Sequence, residues 1–147
     1  MSQNYDSLKL KNQLCFPLYA ASREVIKHYR PYLEKIGLTY TQYITMMVLW
    51  EEKRIGARDL GQRLFLDSGT LTPVLKSLER KGLLRRRRSE EDERMLMIEL
   101  TEAGRALQER AVEVPQQMAA CLRLTQEEIM TLYGLLYKLL AQFEDEK

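Results

Sequence analysis

A stripe at three- and four-residue steps, Leu18, Ser22, Val25, Tyr29, Leu33 and Ile36, predicts an amphipathic helix over residues 14–36, with Gly37 as its C-cap. Asn12 is the candidate cap at its start, and Pro17 makes the first turn irregular or delays it. Thr39 and Gln42 have the spacing of a capping box ahead of YITMMVLW, a nearly unbroken apolar run that predicts a buried helix. A short turn is expected over 53–56, then a helix over 57–64. A further helix, capped by Asp67 or Ser68, runs to Lys81 with Leu71, Val74, Leu75 and Leu78 as its buried stripe. Pro73 falls early enough in it to be tolerated, and Gly82 ends it.

Beyond Gly82 the period drops to two. Residues 83–88 and 95–100 read as two strands, the second alternating Met95, Met97 and Glu99 with Leu96, Ile98 and Leu100. The polar segment 89–94 between them forms a hairpin tip. Thr101 caps a predicted helix from Glu102 to about Cys121. Thr125 with Glu128 caps a last helix through Phe143. Four helices, a charged hairpin and two helices describe a mainly α (α+β) winged helix-turn-helix. Residues 1–147 are expected to form a single domain, with a winged lobe over 40–100 and dimerisation helices over 14–36 and 102–143.

The last helix carries Ile129, Leu132, Tyr133, Leu135, Leu136, Leu139, Leu140 and Phe143, a stripe wider than packing on one neighbour requires. It fits the core of a monomer or the shared core of an obligate dimer. The dimer is preferred, because two-fold symmetry places two recognition helices one DNA turn apart.

Net charge is only +2, so the placement of charge has to carry any argument for nucleic acid. Residues 76–94 hold eight basic and five acidic residues, whereas 99–147 hold five basic and nine acidic. The basic set includes Arg85, Arg86, Arg87 and Arg88, whose alternation in a strand leaves at least half of them available to phosphates. Arg94, oriented by Asp92, is placed to enter a minor groove. The opposing reading is a solvated hairpin whose arginines pair with Glu90, Glu91 and Glu93. Small polar residues at the start of the preceding helix, Ser68, Gly69, Thr70 and Thr72, tip the balance toward DNA, with Lys76 and Arg80 as phosphate contacts further along.

Two cysteines 106 residues apart do not make a secreted disulfide framework, and a single histidine argues against a structural zinc site. The amino terminus lacks a signal-peptide core and no apolar run reaches membrane-spanning length, so a soluble cytoplasmic protein is expected, with no membrane partner, metal or cofactor. Cys15 lies at a helix amino terminus, where unpaired backbone donors favour a thiolate. Tyr19, four residues on, is within reach of the sulfur, and Leu14, Phe16 and Leu18 would give it an apolar surround. A cysteine flanked by leucine and phenylalanine is more often inert core, and Cys121 equally reads as filler. Spacing alone leaves both readings open.

NQLCFPLYAASREVIKHYRPYLEKIGLTYTQY, LFLDSGTLTPVLKSLERKGLLRRRRSEEDER and the helix opening LTEAGR resemble the MarR family of bacterial regulators, nearest the organic hydroperoxide-sensing OhrR group. The resemblance spans nearly the whole chain. It implies a homodimeric repressor that binds a pseudo-palindromic double-stranded operator when reduced and lets go when an organic hydroperoxide oxidises Cys15 to a sulfenic acid. It implies that Tyr19, Tyr29 and Tyr40 support the sulfur, partly from the opposite subunit. Ser68 and Thr70 match recognition-helix positions, Asp92 and Arg94 the wing tip. Cys121 falls where a second, resolving cysteine of the partner subunit is expected, which favours an intersubunit disulfide over capture by a small thiol. Two alternatives stand beside this reading: a relative that senses a small phenolic ligand, and a winged helix used as a protein-interaction module. Catalytic turnover is not expected.

Overall fold

The computed structural model describes residues 3–144. Short 3-10 turns at Asp6–Leu8 and Leu10–Asn12 lead into helix α1, Cys15–Glu34. Asn12 is not its cap. Its side-chain amide donates instead to the Asp6 carbonyl at 2.7 Å, and α1 starts from Leu14 with no side-chain cap. Pro17 fits because it is the third residue of α1, where the backbone donors lack a partner within the helix. Pro31 lies inside the last turns, yet the helix runs on to Glu34. It closes as expected at Gly37, at φ +71°, with the Leu38 amide on the Leu33 carbonyl at 3.1 Å.

Helix α2, Tyr40–Glu52, opens on the expected capping box: Thr39 accepts from the Gln42 amide and the Gln42 side chain accepts from the Thr39 amide. It is buried on most of its circumference, and Met46 and Leu49 are fully enclosed. The expected turn after it is a strand, β1, Arg54–Gly56, which pairs antiparallel with β3, Leu96–Leu100. Lys53, at φ 66°, reverses the chain, and its carbonyl accepts from the Leu100 amide at 2.9 Å. Helices α3, Ala57–Leu64, and α4, Ser68–Arg80, stand where predicted. Asp67 caps α4 by accepting from the Thr70 amide at 2.7 Å. Strand β2, Leu84–Arg88, pairs with β3 with Arg86 opposite Ile98, giving the sheet order β1-β3-β2.

The helix expected from Glu102 to Cys121 is two: α5, Glu102–Ala111, and α6, Val114–Cys121. Pro115, in the first turn of α6, has no amide to continue α5. At the start of α5, Gly104 passes so close to β2 that an added Cβ would lie 2.1 Å from the Leu83 carbonyl oxygen. Helix α7, Gln126–Glu144, opens on the reciprocal Thr125–Glu128 cap, with bonds of 3.1 and 2.9 Å.

The core is drawn from residues 33–114, chiefly Leu49, Leu60, Leu71, Leu75, Leu78, Leu84 and Ile98. Helix α1 reaches it only through its last turns, and α7 lies outside it. Leu33 is the one fully buried residue of α1, and α7 buries none. Along α7, Leu132, Tyr133 and Leu135 are 47, 63 and 59% exposed.

Candidate functional site: two thiols and a basic face

Cys15 is the first residue of α1 and is an exposed free thiol. The first amides of the helix point past it unpaired, which favours negative charge at that end. Among the described residues the sulfur has no hydrogen-bond partner. The Tyr19 hydroxyl expected to serve it accepts instead from the Arg23 guanidinium at 2.8 Å, and that guanidinium also lies 5.5 Å from the Tyr19 ring centre. Arg23 is itself one helical turn beyond Tyr19, so it competes for the hydroxyl at equal spacing. The expected apolar surround is open to solvent, with Leu14 85% exposed.

Tyr29 lies fourteen residues further along α1, about 21 Å from Cys15 at 1.5 Å per residue. Its ring packs on Tyr40 and Tyr43 with centroid distances of 5.0 and 5.9 Å. Burial raises the pKa values of Tyr29 and Tyr40, and burial with the two neighbouring phenols pushes Tyr43 up to about 12. All three therefore stay protonated donors at neutral pH. Tyr43 was not picked out from the sequence, where it reads as one more apolar position of α2.

Cys121 ends α6 and is also an exposed free thiol. Its sulfur lies 3.2 Å from the Tyr32 hydroxyl and bonds the Gln117 carbonyl at 3.4 Å. The bond to sulfur raises the Tyr32 pKa, so the phenol remains a donor. Tyr32 is seventeen residues from Cys15, about 25 Å along the helix. Disulfide bonding needs Cα separations under about 7 Å, so the two thiols of one chain are far out of range.

Helix α4 and the hairpin carry the basic face. Leu71, Leu75 and Leu78 face the core, leaving Ser68, Gly69, Thr70, Thr72, Lys76 and Arg80 exposed. The bond from Thr70 holds the Asp67 carboxyl below the ordinary carboxylate range. At the tip, Asp92 accepts from the Arg94 amide and guanidinium at 3.1 Å each, leaving the Arg94 side chain 91% exposed and held outward as expected. Ser89, buried, folds the tip by accepting from the Glu91 and Asp92 amides at 3.2 and 3.4 Å.

The four arginines divide unequally. Arg85 and Arg88 are exposed and have no acidic partner among the described residues. Arg87 is 3.8 Å from Glu99. Arg86, expected among the wing contacts, turns inward onto Glu79 of α4, because even positions of β2 share the face of buried Leu84. Among the described residues none pairs with Glu90, Glu91 or Glu93.

The model for "Transcriptional regulator SarA/Rot" matches residues 27–110. The chain is 47% identical over 140 residues to the organic hydroperoxide resistance transcriptional regulator of Bacillus subtilis, covering 95% of each. The chain belongs to the MarR family of transcriptional regulators. It is related to the OhrR, SarZ and AbfR members, and it is a regulator rather than an enzyme. Its fold matches Staphylococcus epidermidis AbfR in the structure of the reduced protein bound to DNA, with a TM-score of 0.76, 36% identity and coverage of 94% of this chain and 97% of that one. Against the disulfide-formed AbfR the TM-score is 0.61 at 37% identity, covering 97% of this chain and 96% of that one. Among the described residues no helix is long and apolar enough to cross a membrane.

Proposed function

We propose that the chain is a homodimeric repressor that binds a pseudo-palindromic operator when Cys15 is reduced and leaves it when an organic hydroperoxide oxidises that thiol. The observation that carries the reading is the incompleteness of the Cys15 site. Its sulfur stands at the open end of α1, its expected tyrosine is taken by Arg23, and Tyr29 and Tyr40 are too distant in the same chain. A second copy packed through the bare faces of α1 and α7 would bring protonated phenols to it and cover the exposed leucines. Residues 14–36 and 102–143 then serve as the dimer helices, and 40–100 as the lobe that meets DNA.

The Cys15 thiolate attacks the terminal peroxide oxygen, the O–O bond breaks, and the alkoxide leaves as an alcohol after taking a proton. The thiol sulfur is oxidised to sulfenic acid while the peroxide is reduced. The partner subunit's Cys121 then condenses with the sulfenic acid, forming an S–S bond and releasing water. In each resting subunit the Tyr32 hydroxyl engages the Cys121 sulfur, so Cys121 must move off Tyr32, with a shift of the helices that carry them, before the disulfide forms. The relative AbfR supports such a shift, since this chain superposes less well on its disulfide-formed structure at nearly equal identity. On DNA, the exposed face of α4 enters the major groove while Arg94 and Arg88 reach backbone or minor groove beside it. Both half-sites must be engaged together, so a few Å of relative motion suffices for release.

The test is one equivalent of an organic hydroperoxide on reduced protein, followed by non-reducing electrophoresis and intact mass. A covalent dimer in wild type, and a sulfenic acid or mixed disulfide without crosslink in Cys121→Ser, are expected. An unmodified Cys15 would overturn the redox reading and direct attention to small ligands. Oxidised Cys15 without a crosslink in wild type would remove Cys121 from the scheme.

A further inference from the structure

Between residues 76 and 88 the chain has seven basic residues and one acid, Glu79. An acid among cations beside DNA repels phosphate, so its side chain needs another role to be well placed. Glu79 lies in the last turn of α4. One carboxylate oxygen accepts from the Arg86 amide at 3.0 Å, and the other accepts from Arg86 Nε and Nη2 at 3.1 and 2.9 Å. Strand β2 is an edge of the three-stranded sheet, so this carboxylate satisfies a backbone donor at the sheet's open side. The side chains of the pair are 26 and 35% exposed, less than the other arginine pairs of α2 and α3 or of the wing tip.

Two residues before and after Glu79, the same helix is tied in the other direction. Ser77 accepts from the Gln42 side chain at 2.9 Å, and Lys81 donates to Gln42 Oε1 at 2.9 Å and to the Gly37 carbonyl at 2.6 Å. The end of α4 is thus fixed on one side to the start of α2 and on the other to the wing strand. We propose that Glu79 is a positioning residue for DNA recognition: through Arg86 it sets the angle between α4 and the wing, so that helix and hairpin meet one operator half-site together. A fork-shaped guanidinium with a backbone amide fixes direction as well as distance, which a lysine would not. This inference rests on the DNA-binding reading above.

The consequence is opposite in sign to simple electrostatics. Glu79→Gln removes a negative charge near DNA, yet it should weaken binding to the preferred duplex. The probe is a duplex selected by reduced wild-type protein from a random-sequence pool, compared with a scrambled duplex at the same salt. Glu79→Gln is expected to lower affinity for the selected duplex about 5- to 10-fold and to leave or slightly raise affinity for the scrambled one. Arg86→Lys, which keeps the charge and loses the fork, should lower the same ratio. If Glu79→Gln binds both duplexes more tightly and Arg86→Lys changes neither, Glu79 only balances charge and the proposal is wrong. Should Glu79→Gln not fold, the Arg86→Lys ratio decides alone. A wild type with no preference for the selected duplex would overturn the DNA-binding reading itself, a different outcome from a preference that Glu79→Gln leaves intact or strengthens.

Discussion

Leu132→Asp should dissociate the proposed dimer while leaving the winged lobe folded. Leu132 is 47% exposed in the single chain, on a helix with no fully buried residue, whereas the core is built from residues 33–114. Fully burying a leucine stabilises by about 1.5–3 kcal/mol, so covering the exposed half contributes roughly 1 kcal/mol. A two-fold interface counts the change twice, giving about 2 kcal/mol, or on the order of 30-fold in the dimer dissociation constant. Desolvating the two new carboxylates adds to that figure, so 30-fold is a lower bound. Sedimentation equilibrium over a range of protein concentrations reads the constant directly, and circular dichroism checks that helix content is kept. A dissociation constant within threefold of wild type would mean that α7 does not meet a second copy at Leu132. The α7-mediated dimer would then have to be abandoned.

Three other outcomes follow from local geometry. Gly104→Ala puts a Cβ 2.1 Å from the Leu83 carbonyl oxygen and 2.8 Å from the Leu100 side chain, and since the first is backbone, a loss of about 3 kcal/mol or more in thermal unfolding is expected; a melting temperature within roughly 2 °C of wild type would show that α5 can slide away. The Asp67 pKa is lowered from its ordinary 3.8 by the Thr70 bond, so its stabilisation is full above that value and is lost as pH falls through the lower folded one; Asp67→Asn, which keeps an acceptor without titrating, should flatten the acid limb of the stability curve, and an unchanged limb would remove the cap from the account. Arg88→Gln should reduce the salt slope of DNA binding by about 0.9, one phosphate contact, while an unchanged slope would place Arg88 off the DNA.

Features set within one helical turn were legible in the chain. The Thr39–Gln42 and Thr125–Glu128 caps, the Asp67 cap and the Gly37 and Gly82 stops all depend on residues at most five apart, so pattern finds them. Strand β1 was not, because three residues carry no period and its identity comes from β3, more than forty residues away. Pro115 was in plain view as a helix breaker, but the continuous polar-apolar pattern on both sides of it hid the break. At the candidate thiol site, the place of Cys15 at a helix start leaves a reactive and an inert reading open, and the family resemblance favours the first. Tyr19 has neighbours at equal helical spacing on both sides, Cys15 and Arg23, and within the single chain its hydroxyl bonds the charged one. The Tyr32–Cys121 bond spans 89 residues and leaves no local trace. The four arginines looked equivalent until the face shared with Leu84 turned Arg86 toward Glu79.

The most direct test of the central claim is fluorescence anisotropy of the selected duplex with wild type and Cys15→Ser, each reduced, then given one equivalent of organic hydroperoxide, then dithiothreitol. Wild type should bind tightly, lose at least tenfold in affinity on oxidation and regain it on reduction, while Cys15→Ser binds as tightly throughout and does not respond. Equal loss of binding in both proteins, or no loss in wild type, would contradict a switch at Cys15.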